Sequence, residues 1–156
     1  MTSPDEITVR ARGIDFRALE WGRHGDPLAL LIHGYPDTAW TWRHLGPDLA
    51  AGGRHVVAPF TRGYAPTGLA PNDDYRVAEQ AADVLALHEA LGGGDDAALV
   101  GHDWGAVATW AVTAAEPERF SKYVAMSVPP PEAILAPLRS LRTLPVAARQ
   151  LRMSWY

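Results

Sequence analysis

The sequence predicts an α/β protein with a mostly parallel sheet that is covered by helices on both faces. Two alternating segments at the start indicate an antiparallel hairpin. Continuous apolar runs farther along are typical of strands that are buried on both faces. Segments with helical spacing separate these runs, and strands that alternate with helices join in parallel because each helix returns the chain to the same end of the sheet.

The hairpin comes first. Residues 7–12 alternate between apolar and polar side chains, and Gly13 ends this strand. Residues 16–21 form the expected partner strand, which ends at Gly22. The apolar runs that follow predict four buried strands, at residues 28–32, 55–58, 97–100 and 123–128.

Three helices are expected between the buried strands. Residues 42–51 predict a short helix, and a Pro- and Gly-rich loop spans residues 59–72. Asp73 and Asp74 are the expected caps of a longer helix. The apolar stripe of that helix consists of Val77, Ala81, Val84, Leu85, His88 and Leu91. The third helix spans residues 104–115.

The character of the chain changes after Pro129, Pro130 and Pro131. Residues 133–156 contain four arginines and no acidic residue, and their leucines predict one or two amphipathic helices. We therefore expect residues 1–130 to form part of a sheet domain and residues 131–156 to begin a separate helical region.

Composition limits the classes of function. The net charge of −4 offers no basic face for nucleic acid and no polybasic anchor for a membrane. Without cysteine, the chain can have no disulfide, no thiolate metal site and no cysteine nucleophile. The polar, acidic start is unlike a secretory signal, so we expect a cytoplasmic protein. No ligand pattern in the sequence implies a metal or an organic cofactor, and oligomeric state cannot be read from it.

The motif that carries chemistry is Gly101-His102-Asp103-Trp104-Gly105, which joins the strand at residues 97–100 to the helix at residues 104–115. A Gly-x-nucleophile-x-Gly turn between a strand and a helix exposes a nucleophile on a sharp elbow. A carboxylate with an ordinary pKa of about 3.9 is already ionised at neutral pH, unlike a serine hydroxyl. Asp103 is therefore the expected nucleophile, at a helix amino terminus that favours its negative charge.

The chain resembles the epoxide hydrolase and haloalkane dehalogenase branch of the α/β-hydrolase superfamily, from about residue 7 to residue 156. In addition to the elbow, the resemblance depends on three segments: His33-Gly34-Tyr35-Pro36, Trp40-Thr41-Trp42-Arg43 and Arg62-Gly63-Tyr64. It implies the α/β-hydrolase fold, with residues 131–156 as the start of a helical cap. It also implies a cofactor-independent hydrolase that acts on a small, electrophilic, epoxide-like substrate with water.

The resemblance assigns roles to residues near the elbow. The backbone N–H groups of Tyr35 and Trp104 are the expected oxyanion hole. The side chains of Tyr35, Trp40 and Trp104 are expected to contact the substrate. Dehalogenases of this branch commonly carry Asn where Tyr35 stands, so Tyr35 favours an epoxide hydrolase. Tyr156 is the candidate acid of the cap that protonates the opening oxygen; it could equally anchor the cap helix as a buried aromatic residue.

The sequence also departs from the family pattern. Phe60, Ala65 and Thr67 replace family residues in a structural loop, with no expected change of chemistry. The family order places an acid and then a histidine after the nucleophile, but no histidine follows His102. Glu132 lies several residues too late for the acid, and His102 is expected to have a structural role. We therefore expect this chain to form an ester on Asp103 without turnover.

Alternative functions remain at this point. A haloalkane dehalogenase would release halide, whereas a non-catalytic binding module or fragment on the same fold would show neither activity. A dinucleotide-binding dehydrogenase is disfavoured, because no Gly-x-Gly-x-x-Gly motif follows a predicted strand.

Overall fold

The computed structural model describes residues 3–136 and 142–153 of the chain. Within these residues, six strands form one sheet: β1 (Asp5–Ala11), β2 (Ile14–Trp21), β3 (Leu28–Ile32), β4 (His55–Pro59), β5 (Ala98–His102) and β6 (Lys122–Met126). The helices are α1 (Leu45–Ala51), α2 (Val77–Ala90), α3 (Trp104–Ala115), α4 (Pro131–Leu135) and α5 (Leu144–Met153), with a 3-10 helix at Ala39–Trp42.

The strand order in the sheet is β1-β2-β4-β3-β5-β6. The pairs β1–β2 and β2–β4 are antiparallel, whereas β3 pairs in parallel with β4 and β5, and β5 pairs in parallel with β6. The carboxyl ends of β3, β4, β5 and β6 therefore share one edge of the sheet. This arrangement confirms the predicted α/β class and its mostly parallel sheet.

Helices cover both faces of the sheet, as predicted. On one face α2 and α3 bury their apolar sides, with Val84, Leu87 and Val112 in one core cluster. On the other face α1 and the 3-10 helix pack over a second cluster that includes Trp21 and Trp42. All five residues of β3 are buried, which explains its continuous apolar sequence.

Two details of the predicted helices are wrong. The helix expected at residues 42–51 is divided into a 3-10 turn, whose start is capped by the Thr38 hydroxyl, and α1, which begins at Leu45. Asp73 and Asp74 do not cap α2, because its N-cap is Arg76. Asp74 instead accepts hydrogen bonds from the Arg76 backbone N–H and guanidinium, which lower the pKa of Asp74 to about 2.

Among the described residues after 130 lie α4 and α5, in the segment where the sequence predicts one or two helices. Tyr156, the candidate cap acid, lies outside the described residues. Glu132 lies in the exposed first turn of α4. In the part of the chain that the structure describes, no helix combines the length and apolar character needed to cross a membrane.

Candidate active site

Asp103 occupies a strained turn between β5 and α3. Its φ of 53° and ψ of −117° lie where non-glycine residues rarely occur, a conformation that costs about 1–3 kcal/mol. Neighbouring backbone holds the turn: the Asp103 N–H donates to the Met126 carbonyl at 3.2 Å, and the Ala106 N–H donates to the Asp103 carbonyl at 2.9 Å. Such strain is a feature of functional turns.

The two glycines of the motif allow close approach of backbone around this turn. A Cβ at Gly101 would clash with the Gly105 carbonyl and the Thr109 hydroxyl. A Cβ at Gly105 would lie 2.7 Å from the carbonyl carbon of Ile32, at the end of β3. The strand, the helix and the end of β3 can therefore pack at this distance only with glycine at both positions.

The loop after β3 reaches the Asp103 side chain. The Tyr35 backbone N–H donates a hydrogen bond of 2.8 Å to Asp103 Oδ1. The approach depends on Gly34, where a Cβ would lie 2.6 Å from both Asp103 Cβ and the Trp104 backbone nitrogen. The structure therefore brings Asp103, Tyr35 and the Trp104 amide together.

His33 holds this loop in place. It is buried, and its Nδ1 lies 3.1 Å from the Gly34 carbonyl, while its Nε2 lies 3.1 Å from the Thr61 backbone nitrogen. A neutral imidazole with the proton on Nδ1 satisfies both contacts, and burial lowers the pKa of His33, which favours that neutral form. The Gly34 carbonyl and the Tyr35 N–H belong to one peptide plane, so His33 also orients the N–H that faces Asp103.

An open cleft of about 460 Å³ lies beside the elbow. Tyr35 and Trp104 line it, and both side chains are more than half exposed, at 60% and 51%. Tyr64, Leu69 and Tyr75 add further apolar and phenolic surface. Such a lining suits a small, largely apolar ligand. Trp40, a predicted substrate contact, lies in the 3-10 helix and is 43% exposed, but it does not line this cleft.

Tyr64 is a site residue that sequence reasoning treated only as part of a structural loop. Its ring packs edge-on against His33 with centroids 4.7 Å apart. Burial raises the pKa of Tyr64, and the negative charge of Asp103 raises it further. The phenol therefore stays protonated beside the carboxylate. The segment Arg62-Gly63-Tyr64 indicates a loop, but nothing in it indicates that the Tyr64 phenol is coupled to the Asp103 carboxylate.

Arg62 anchors the same loop. Its Nε and Nη2 donate to the two oxygens of Asp83 on α2, at 2.5 and 2.6 Å, and its Nη1 donates to the Asp74 carbonyl. Arg12 adds a third hydrogen bond to Asp83 at 2.8 Å. Because Arg62 and Asp83 are both buried, this bidentate pair fixes the cleft wall to α2.

His102 takes no part in the contacts around the Asp103 carboxylate that the structure records. Its Nδ1 is buried without a hydrogen-bond partner among the described residues, and it lies 3.8 Å from Asp37 Oδ2. Within the described residues, side chains spaced to hold a metal ion occur in one group, Glu20, His24 and His55. His55 begins β4, so this group lies at the sheet edge opposite the cleft.

Comparison with known proteins agrees with this geometry. Residues 27–152 match the sequence pattern of the α/β hydrolase fold family. The chain is 37% identical over 148 residues to epoxide hydrolase A of Mycobacterium tuberculosis, and this alignment covers 92% of this chain and 45% of that protein. An epoxide hydrolase of Caballeronia sordidicola is 36% identical over 126 residues, covering 80% of this chain and 37% of that protein.

Solved structures give the same result. The crystal structure of epoxide hydrolase A from Mycobacterium thermoresistibile superposes with a TM-score of 0.75 at 38% identity, covering 86% of this chain and 44% of that one. An epoxide hydrolase from Vigna radiata gives a TM-score of 0.75 at 35% identity, covering 83% and 42%. The chain therefore spans less than half the length of these relatives.

Proposed function

The chain belongs to the α/β hydrolase fold family, and on that premise we propose that it supplies the nucleophile and the oxyanion hole of an epoxide-opening hydrolase. The observation that carries the proposal is the hydrogen bond of 2.8 Å from the Tyr35 N–H to Asp103 Oδ1, on a side chain held at a strained elbow. It aims one backbone donor at one carboxylate oxygen of the expected nucleophile.

The first step is attack by Asp103 on an epoxide carbon. Oδ1 is held by the Tyr35 N–H, which leaves Oδ2 as the attacking oxygen. A bond forms between Oδ2 and carbon, the carbon–oxygen bond of the three-membered ring breaks, and the released oxygen takes a proton from an acid. We assign this acid to Tyr156 or to another tyrosine of a helical cap. The product of the step is an ester between Asp103 and the opened substrate.

The second step is hydrolysis of that ester. Water attacks the Asp103 carbonyl carbon as a general base removes its proton, and negative charge develops on Oδ1. The family pattern assigns this base to a histidine after the nucleophile, and residues 104–156 contain none, so we expect the ester to accumulate on this chain. Oδ1 already accepts the Tyr35 N–H, and the neighbouring Trp104 amide is the second donor of the proposed hole. A donor fixed before the charge develops needs no reorganisation, and one such group contributes about 10²–10³ in rate. Collapse of the tetrahedral intermediate then breaks the bond between the Asp103 carbonyl carbon and Oδ2, which leaves with the substrate, and the leaving alkoxide takes the proton held by the base to give a diol. The new carboxylic acid, which now contains the water oxygen, returns its proton to the tyrosinate of the first step, so that the carboxylate is regenerated.

The lining of the cleft supports a small epoxide as the substrate class. Trp104 and the tyrosines offer apolar faces for an alkyl or aryl group. Tyr35 carries no side-chain amide that could bind a departing halide, so the cleft favours an epoxide over a haloalkane. We propose water as the second reactant and no cofactor.

The test is parallel incubation of the chain with styrene oxide and with 1-bromobutane, followed by acid quench and intact-mass measurement. We expect an adduct of one styrene oxide mass and a slower reaction, or none, with the haloalkane. Faster alkylation by the haloalkane, with release of bromide, would instead identify a dehalogenase. Absence of both adducts would contradict the proposed nucleophile.

A further inference from the structure

Glu20, His24 and His55 converge at the amino-terminal ends of the parallel strands, away from the proposed catalytic cleft. His55 Nε2 lies 2.7 Å from Glu20 Oε1, and His24 Nε2 lies 3.5 Å from Glu20 Oε2. One ligand atom from each of the three side chains lies within 4.8 Å of the other two. Nothing in the proposed hydrolysis uses these residues.

The strands place two of the three ligands in the protein interior. Glu20 lies on β2, between Asp5 of β1 and Val57 of β4, and is only 8% exposed. His55 begins β4 and is 3% exposed. A buried carboxylate needs compensation by a cation or by hydrogen bonds. His55 faces one oxygen of Glu20, and the second oxygen faces His24.

A glycine turn brings His24 to this position. Gly22 and Gly25 have φ values of 89° and 98°, which L side chains rarely adopt, and a Cβ at Gly22 would clash with the Arg54 carbonyl. The turn therefore packs against the residue that precedes His55. As a result, the His24 and His55 rings lie 4.7 Å apart, while the His24 side chain remains 80% exposed.

We propose that Glu20, His24 and His55 bind one divalent transition-metal ion, with Zn²⁺ as the best match. Two imidazoles and one carboxylate are an established zinc ligand set, with water in the fourth position. Ligand atoms about 2.1 Å from a tetrahedral zinc lie about 3.4 Å from one another. Glu20 Oε2 and His24 Nε2, 3.5 Å apart, match this spacing, whereas Glu20 Oε1 and His55 Nε2, 2.7 Å apart, must separate slightly when both bind the ion.

The surroundings provide access for the ion and for water. An open cleft of about 790 Å³ adjoins Glu20, and its lining includes Asp5 and Asp26. Arg23 also lines this cleft, but the three carboxylates of Asp5, Glu20 and Asp26 outnumber it, so the charge at the entrance favours cations. The site thus has two buried ligands, one exposed ligand and a path to solvent.

The experiment is calorimetric titration of the full chain, free of any histidine tag, with ZnCl₂ in a non-coordinating buffer. We expect one Zn²⁺ per chain and a higher melting temperature in its presence. His24→Ala removes an exposed side chain and should weaken binding at least tenfold, since even outer-shell partners of metal ligands contribute 10- to 100-fold. His44→Ala, which removes another exposed histidine outside the group, should leave binding unchanged.

Glu20→Gln is the second variant, because it keeps the shape of the side chain and a hydrogen bond to His55 while it removes the charge. It should also weaken binding at least tenfold. Failure of the wild-type chain to bind Zn²⁺, or equal affinities of His24→Ala and His44→Ala, would overturn the proposal and leave Glu20 and His55 as a buried hydrogen-bonded pair.

Discussion

Replacement of Arg62 by Ala tests how the cleft wall is held. The Arg62 side chain is 2% exposed and that of Asp83 is 6% exposed, and the two are joined by hydrogen bonds of 2.5 and 2.6 Å. Removal of one partner of a buried ion pair costs about 3–5 kcal/mol, because the other charge stays buried. Arg12 still donates to Asp83 from a half-buried position, so we expect a loss at the lower end, about 3 kcal/mol.

The assay is urea unfolding followed by tryptophan fluorescence and circular dichroism. Arg10→Ala is the matched control: Arg10 and Asp15 lie 2.6 Å apart, but their side chains are 68% and 57% exposed. An exposed pair contributes only about 0–1 kcal/mol, so this variant should unfold almost as the wild type does. If Arg62→Ala lowers the free energy of unfolding by no more than Arg10→Ala does, burial does not increase the contribution of the Arg62–Asp83 pair to stability, and the reasoning is refuted.

Three further predictions concern the elbow and its neighbours. Gly105→Ala should destabilise the fold by about 3 kcal/mol, because the added Cβ would clash with the backbone at the end of β3. Gly68→Ala is the control, since a Cβ there has no atom within 4 Å and should leave stability unchanged. Equal melting temperatures of the two variants would contradict this prediction. Burial lowers the pKa of His33, so as pH decreases the unfolded chain protonates this histidine before the folded chain does. The contribution of neutral His33 to the free energy of unfolding should therefore be fully present above about pH 6.5 and be lost as pH falls through the lowered pKa of the folded state. Urea unfolding at pH 7 and pH 5.5, with NMR titration of the His33 ring, checks it, and a His33 pKa at or above 6.5 would refute it. Asp103→Asn should lower the pKa of Tyr64 toward its ordinary value without reaching it, since burial remains; an ultraviolet titration against a Tyr64→Phe reference measures this, and an unchanged pKa would mean that the two groups are not coupled.

The fold class and the family resemblance could be predicted from local patterns, and both are confirmed. The five apolar residues of β3 indicate a strand buried on both faces, and the structure buries all of them. Gly101 and Gly105 indicate a tight elbow, and both stand where a Cβ would clash with backbone. These features can be predicted because each depends on residue types at one position or in one short segment.

The parts that could not be predicted depend on partners distant in sequence. Asp83 reads as one polar residue of an amphipathic helix, yet its contacts with Arg62 and Arg12 span 21 and 71 residues. The expected caps of α2 failed because Asp74 binds Arg76 instead. The group of Glu20, His24 and His55 likewise has no motif spacing and exists only because β2 and β4 pair.

Two expectations stay predictions. One is the catalytic roles of Asp103, Tyr35 and Trp104, and the other is the division of the chain near residue 130. The geometry supports the first, since the three residues meet at one turn. The candidate acid Tyr156 lies outside the described residues, so its assignment depends on the family resemblance alone.

Peptide mapping of the styrene oxide adduct after acid quench tests directly whether Asp103 is the nucleophile. We expect one ester per chain, located on Asp103, and no ester in Asp103→Asn. Asp37→Asn, which changes another carboxylate near the elbow, should keep the adduct. An ester on a different residue, or an adduct that persists in Asp103→Asn, would contradict the assignment of Asp103 as the nucleophile.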